Sequence, residues 1–255
     1  FRSAGVQAVR AVSGLPGFKP SDQPILAHDK VRHVGELLAI CVAPSRALAE
    51  DIAAAVQPRL EALPAVHDML EGRAPGTPLL HEHWGDNVFL ETNVEVNVEA
   101  MRNAPVRVSR EIRTSRQCQA PMEGRGVVAH WDSRMNQLVV HSSTQMPHIV
   151  RSGLSECLGL DHGRIRVISP DVGGGFGHKG ILLTEEVALA WLAMHLGVPV
   201  RWLEDRREHL TAAANCREHH YLITGYADRE GNLIGIECDA TVDSGAYSSY
   251  PFSAC

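Results

Sequence analysis

At 255 residues, 44% of them hydrophobic and 21% charged, the chain has the bulk and composition for one large globular domain or two modest ones. Its formal net charge of −6 gives no basic surface for nucleic acid, and no apolar run approaches the ~20 residues of a membrane helix. The cysteines at 41, 118, 157, 216, 238 and 255 form no CxxC pair, which removes zinc-ribbon and ferredoxin-type sites and leaves them as reduced core residues of a cytoplasmic protein. A start at Phe1 and an end at Cys255, just after a strand-like segment, read as a fragment cut at both ends.

In chain order, Phe1–Val34 is rich in Gly and Pro and predicts short strands and loops. Val31–Val42 reads as a buried strand interrupted near Gly35. Pro44–Val56 predicts a helix capped by Ser45, with Ala47, Leu48, Ile52, Ala55 and Val56 on one apolar face. A further strand is expected in Arg59–Val66, closing a small α/β unit near residue 70. Asp68–Asp86 lacks periodicity and marks a domain boundary.

Beyond it, Val88–Ser109 alternates apolar and polar residues, and Pro121 with two glycines makes a turn before the strand VVAHW. Asn136–Ser142 is a strand, Pro147–Leu158 a helix, and Arg164–Ser169 a strand. The glycine-rich Pro170–Gly180 precedes an apolar helix, Ile181–Leu196, and a strand, Pro199–Glu204. The tail Glu218–Asp243 reads as a hairpin turning at Asp228–Asn232.

The stretch PDVGGGFGHKG holds four glycines in five residues around Phe176. Gly permits conformations closed to other residues and lets a ligand approach bare backbone. Gly175–Gly180 formally satisfies GxGxxG, but Pro170 and two further glycines separate it from the strand, and Gly180 lies at the edge of the helix rather than inside its start. A P-loop is excluded, because His178 stands where Gly must precede Lys179. His81 and His83 form an HxH pair without a third ligand at a telling distance, and read as solvated linker residues; His219 and His220 have no partner motif. Glu123 is read as fixing a turn by pairing with Arg116 or Arg125, with general acid–base work as the alternative. Glu185 and Glu186 suit the positive end of their helix. At SSTQMPH, Thr144 or Gln145 stands near a helix N-terminus: either Thr144 caps it with Gln145 in solvent, or Gln145 faces an anionic or oxo ligand.

Taken together, STQMPH, then IRVISPDVGGGFGHK, then VPVRWLEDRREHL resemble the molybdenum-binding large subunit of the xanthine dehydrogenase, aldehyde oxidase and aerobic carbon monoxide dehydrogenase family. APMEGRGVVAHWD is similar to the opening of that family's first molybdopterin-binding domain, and LAHDKVRHVGELLAICVAPSRALAEDIA to its preceding α/β hammerhead domain. The resemblance implies an α+β protein: a hammerhead domain over 1–70, a linker over 71–90, and a first molybdopterin-binding domain over 91–255, truncated at its C-terminus.

It also implies a molybdenum hydroxylase that oxidises an aldehyde, N-heterocycle or carbon monoxide type substrate with water-derived oxygen. The metal would be held by molybdopterin, in its cytosine dinucleotide form, without direct side-chain ligands. Gln145 matches the glutamine that hydrogen-bonds an oxygen on molybdenum. Gly174, Gly175, Phe176 and Gly177 match the loop packed against metal and pterin, with Phe176 shielding the site. FAD and [2Fe-2S] clusters are expected on separate partner subunits, in a dimer of heterotrimers. Gly180 replaces an acidic residue of the purine-oxidising branch, and the family's base, a glutamate, falls beyond Cys255, so the 255 residues alone are expected to be inactive. Two other readings remain: an NAD(P)-binding dehydrogenase using Gly175–Gly180, and an inactive assembly fragment.

Overall fold

The strands divide by burial: β5, at Gln137–Ser142, buries a continuous Leu-Val-Val run, whereas the strand over Val106–Thr114 is exposed along its length; the computed structural model describes residues 1–251. The elements are β1 (Val9–Arg10), β2 (Asp22–Gln23), α1 (Arg46–Ala54), α2 (Met69–Gly72), α3 (Val98–Arg102), β3 (Val106–Thr114), β4 (Gly126–Asp132), β5 (Gln137–Ser142), α4 (Pro147–Leu158), β6 (Ile165–Ile168), α5 (Thr184–Leu196), β7 (Val200–Leu203), α6 (Arg206–Ala212), β8 (Glu218–Ala227) and β9 (Leu233–Asp243). They form a mixed α/β architecture. Besides the short β1–β2 pair there is an antiparallel sheet in the order β3-β8-β9 and a mixed sheet in the order β6-β5-β4-β7.

The mixed sheet carries the core. Val127 and Ala129 of β4 and Leu138 and Val140 of β5 point to one face, as the two-residue period of a strand requires. Onto that face α4 lays Val150, Leu154 and Cys157, which recur at helical spacing, and α5 lays Val187, Ala188, Ala190 and Ala193. Val6, Val9 and Ile25 join the same cluster, and the Phe1 ring lies 4.7 Å from that of Trp191. Pro147 opens α4 at its first position and Gly159 closes it with φ 66°. In the other sheet β3 and β8 pair from Val106↔Ala227 to Thr114↔His219, and a bridge Gln117↔Cys216 extends the contact. Asp228 holds the β8–β9 turn by accepting from the N–H groups of Glu230 and Asn232.

The N-terminal third departs from the sequence reading. Ser45 does cap α1, its Oγ accepting from Leu48 N–H, yet Leu48, Ile52 and Val56 stay exposed among the described residues. Val31–Val42 is no strand, because no described segment pairs with it and Val34 points to solvent. Arg59–Val66 is likewise unpaired: Pro58 precedes it and Pro64 lies within it, both without N–H donors, and Leu60 and Leu63 are exposed. The alternation after Val88 yields α3 and then β3, with Asn97 in a left-handed conformation breaking the extended chain just before α3. Of the cysteines, 41, 118, 157, 216 and 238 are free thiols and only Cys157 is buried; Cys255 lies outside the described residues. No helix among the described residues is long and apolar enough to cross a membrane.

Helix α5 starts at Thr184 rather than Ile181, and Glu186 is the reason. Its carboxyl reaches back to Leu183 N–H at 3.0 Å and takes a hydrogen bond from Ser142 Oγ at 2.6 Å, so it is more than a favourable charge at a helix end. Complete burial pushes this acid up to about 7, against the pull of those two hydrogen bonds. An acid that holds its proton longer in the folded state stabilises that state fully below the ordinary value of 4.5, and the contribution fades as pH rises to about 7. At 1.36 kcal/mol per pH unit the swing is roughly 3 kcal/mol. Glu186→Gln keeps both contacts without a titrating proton, so urea denaturation of the variant should lose most of the wild-type decline in stability between about pH 5 and pH 7.

Candidate active site

Strands β5 and β6 run parallel, so the loops that follow them leave the sheet at the same edge. That juxtaposition brings Thr144–Met146 against the glycine-rich loop. Ser169 Oγ donates to Thr144 O at 2.7 Å, Gln145 N–H to Lys179 O at 2.9 Å, and Thr144 Oγ to the same Lys179 carbonyl at 3.1 Å. Across the gap Gly177 N–H donates to Gln145 Oε1 at 2.9 Å. Thr144 Oγ also accepts from Met146 N–H, but Met146 is itself the N-cap of α4 and no side chain among the described residues caps the helix, so Thr144 does not take the capping role expected of it; Gln145 is tied to the loop as well as exposed.

The glycines are required by this contact. A Cβ on Gly175 would stand 2.4 Å from Gln145 Cδ, so any other residue there would have to push the Gln145 amide aside. Gly174 and Gly177 take φ of 96° and 83°, and Phe176 between them is held at φ 52°, a conformation costing a non-glycine residue about 1–2 kcal/mol. Phe176 is 70% exposed, and its ring edge folds over Gly174, where an added Cβ would meet it at 2.9 Å. Gly175–Gly180 does not open a helix as a dinucleotide loop would: His178–Gly180 form a buried single turn, and α5 begins at Thr184.

A carboxylate closes the loop on itself. Glu123 Oε2 accepts from Gly173 N–H at 2.6 Å and from Lys179 Nζ at 2.8 Å, joining the loop's entrance to its exit. The sequence reading gave Glu123 to Arg116 or Arg125, but Arg116 pairs with Asp243, and Arg125 is held elsewhere. The Lys179 side chain is wholly buried, leaving Glu123 as its ion partner. Burial opposes ionisation of Glu123, but the bonds from Lys179 and Gly173 outweigh it and keep the carboxyl below its usual 4.5.

Arg125 anchors a second buried network. Its Nε and Nη2 donate to Glu204 Oε1 at 3.0 and 2.8 Å, Nη2 also reaches Glu185 at 2.9 Å, and the guanidinium lies over the Trp202 ring. Glu185 is therefore an ion partner and more than a helix-end charge. Glu204 Oε2 meets His209 Nδ1 at 3.1 Å, and the His178 ring stands 4.9 Å from that of His209. Burial, then the Arg125 charge, pushes His178 down to about 4. None of Lys179, Arg125, Glu204, His178 or His209 stood out as a site residue in the sequence; the only local signal was HK at the end of a glycine run.

The histidine pairs carry no site. His81 is buried, contrary to expectation, with Nε2 on Ala246 O at 2.8 Å and its ring against Trp84 and Tyr247. His220 pairs with Glu111.

What remains is a face suited to an oxygen-bearing ligand. Gln145 Oε1 is taken by Gly177, which leaves Nε2 as a donor without a partner among the described residues, on an exposed side chain beside glycine backbone. This donor set fits a molybdenum–pterin group whose metal carries its own oxygens, and it offers that metal no side-chain ligand.

The molybdopterin cofactor-binding domain profile matches residues 80–254. The nicotine 6-hydroxylase large subunit of Paenarthrobacter nicotinovorans is 39% identical over 250 residues, 97% of this chain and 30% of that protein. The carbon monoxide dehydrogenase large chain of Hydrogenophaga pseudoflava is 30% identical, over 96% of this chain and 33% of that one. The crystal structure of quinoline 2-oxidoreductase from Pseudomonas putida 86 superposes with a TM-score of 0.90 at 33% identity, covering 98% of this chain and 32% of that one. The chain thus spans about a third of the length of the relatives it matches.

The Glu123 clamp has a signature in pH. Glu123→Gln should lower stability at neutral pH by about 1–2 kcal/mol, less than the 3–5 for a fully buried pair because solvent screens Glu123. A depressed carboxyl stabilises above the unfolded value and loses that contribution as pH falls through the folded one. The gap between wild type and variant in thermal melts should therefore narrow as pH falls below the ordinary glutamate value and close once the folded carboxyl is protonated.

Proposed function

Because the chain belongs to the molybdopterin cofactor-binding domain family, we propose that it is the N-terminal part of the large subunit of a molybdenum hydroxylase. In this reading residues 1–70 correspond to a hammerhead domain, 71–90 to a linker and 91–255 to the first molybdopterin-binding domain. The observation that carries it is the lock between Gln145 and the Gly173–Gly177 loop, which leaves an amide donor exposed beside bare backbone.

When bound, the molybdenum–pterin group supplies two-electron oxidation of carbon with water as the oxygen source. Gln145 Nε2 donates a hydrogen bond to an oxygen of that group, and Oε1 on Gly177 N–H fixes the amide's orientation. Gly174, Gly175 and Gly177 let the cofactor approach the backbone, while Phe176 offers it an apolar ring. The Lys179–Glu123 pair holds the loop in that shape from behind. The base that takes the substrate's proton comes from the rest of the subunit.

The substrate is a small molecule. Of the aldehyde, N-heterocycle and carbon monoxide types, an N-heterocycle is favoured, because two of the relatives above are named for nicotine and quinoline. The cofactor is proposed in its cytosine dinucleotide form. The partners are an iron–sulfur subunit and an FAD subunit, in a cytoplasmic dimer of heterotrimers.

In the full-length complex, Gln145→Ala should reduce turnover about 10–100-fold while molybdenum content and melting temperature hold. Unaltered turnover would make Gln145 a structural residue only. Gly175→Val places a branched side chain into Gln145, so metal analysis should find the purified variant largely without molybdenum and pterin.

A further inference from the structure

We propose that His178, Glu204 and His209 form a binding site for a divalent metal ion of the zinc type. The three come from separate elements: the turn after the glycine loop, the residue following β7, and α6. Their ligand atoms lie within 4.8 Å of one another. All three residues are buried, at 3%, 8% and 1% exposure.

His178 is the telling member. Among the described residues neither Nδ1 nor Nε2 has a hydrogen-bond partner, though both are buried. In either tautomer a neutral imidazole then keeps a lone pair with nothing to accept, which protein interiors seldom leave. An ion drawn to that lone pair would remove the deficit. Burial and the nearby Arg125 charge keep the ring neutral, the form a metal needs.

Geometry prepares the other two ligands. Glu204 Oε2 and His209 Nδ1 are 3.1 Å apart, close to the roughly 3.3 Å separating ligands on a tetrahedral ion with bonds of about 2.0–2.1 Å. Binding through Nδ1 fixes the His209 proton on Nε2, which faces Cys118 Sγ at 3.7 Å. The Arg125 guanidinium stays on Glu204 Oε1 and on Glu185, and its backbone N–H, which donates to Oε2 at 2.9 Å, occupies one lone pair of that oxygen and leaves the other for the ion. Charge also favours a cation. Glu185 and Glu204 face the single positive charge of Arg125, and Lys179 is matched by Glu123, so one negative charge remains. Two imidazoles and one carboxylate suit zinc better than calcium or magnesium, which prefer oxygen. Such an ion would clip β7 and α6 to the residue beside Gly177.

The test is metal binding by the full-length complex. After dialysis against EDTA it is titrated with Zn²⁺ and, separately, Co²⁺, with molybdenum and iron measured in the same samples. One equivalent per large subunit is expected at micromolar free ion, with the intense visible bands of four-coordinate Co²⁺ and a raised melting temperature. His178→Phe fills the same space without a ligand and should bind none while retaining molybdenum. His209→Asn should also lose the ion; if that variant does not fold, His178→Phe decides alone. A wild type that takes up neither ion, or a His178→Phe protein that binds as the wild type does, overturns the proposal.

Discussion

The shape of the glycine-rich loop depends on one ammonium group placed where water does not reach it. Lys179 is buried to its tip, and a lone cation in that position would be strongly unfavourable without the Glu123 carboxylate at 2.8 Å. The same residue works through its backbone too, its carbonyl accepting from both Gln145 N–H and Thr144 Oγ. One residue therefore ties the loop to the turn before β4 with its side chain and to the segment after β5 with its main chain. The positive φ angles at Gly174, Phe176 and Gly177 persist because the ends of the loop are fixed in this way.

Around this pair the interior sorts its charges by role. Arg125 is satisfied by two carboxylates, while Glu186, next in sequence to Glu185, pairs with no cation among the described residues and is shifted toward its neutral form by burial. Two adjacent glutamates thus take different partners within one helical turn. What separates them is the direction each faces: Glu185 toward the guanidinium, Glu186 back toward Leu183 and Ser142. Intrinsic acidity plays no part in the difference.

Elements whose signals are local were legible in the sequence. Pro147 and Gly159 delimit α4 to the residue, and the turn at Asp228–Asn232 places β8 and β9, because cap and turn chemistry act over a few residues. Strands expected in Val31–Val42 and Arg59–Val66 were misread for the opposite reason: a strand exists only with a partner, and composition cannot say whether one is in reach. The site divides along the same line. Glycine spacing excluded a P-loop, whereas the meeting of Gln145 with Gly177 follows from β5 and β6 being parallel, and family resemblance rather than periodicity pointed to it. Glu123 and Lys179 lie 56 residues apart, so their pairing carries no local mark.

The long ladder between β3 and β8 has a consequence for assembly. With Gln117 bridged to Cys216, everything from Cys118 to Asn215 is a single excursion that leaves the β3–β8 ribbon of the antiparallel sheet and returns to it. The excursion contains the whole mixed sheet, both core helices and every residue of the glycine-loop networks. Closing so long a loop is entropically unfavourable until its interior has collapsed and brought its ends together. The ribbon should therefore zip after the site layer has formed, so that during folding the outer strands act as a late latch on a pocket shaped before them.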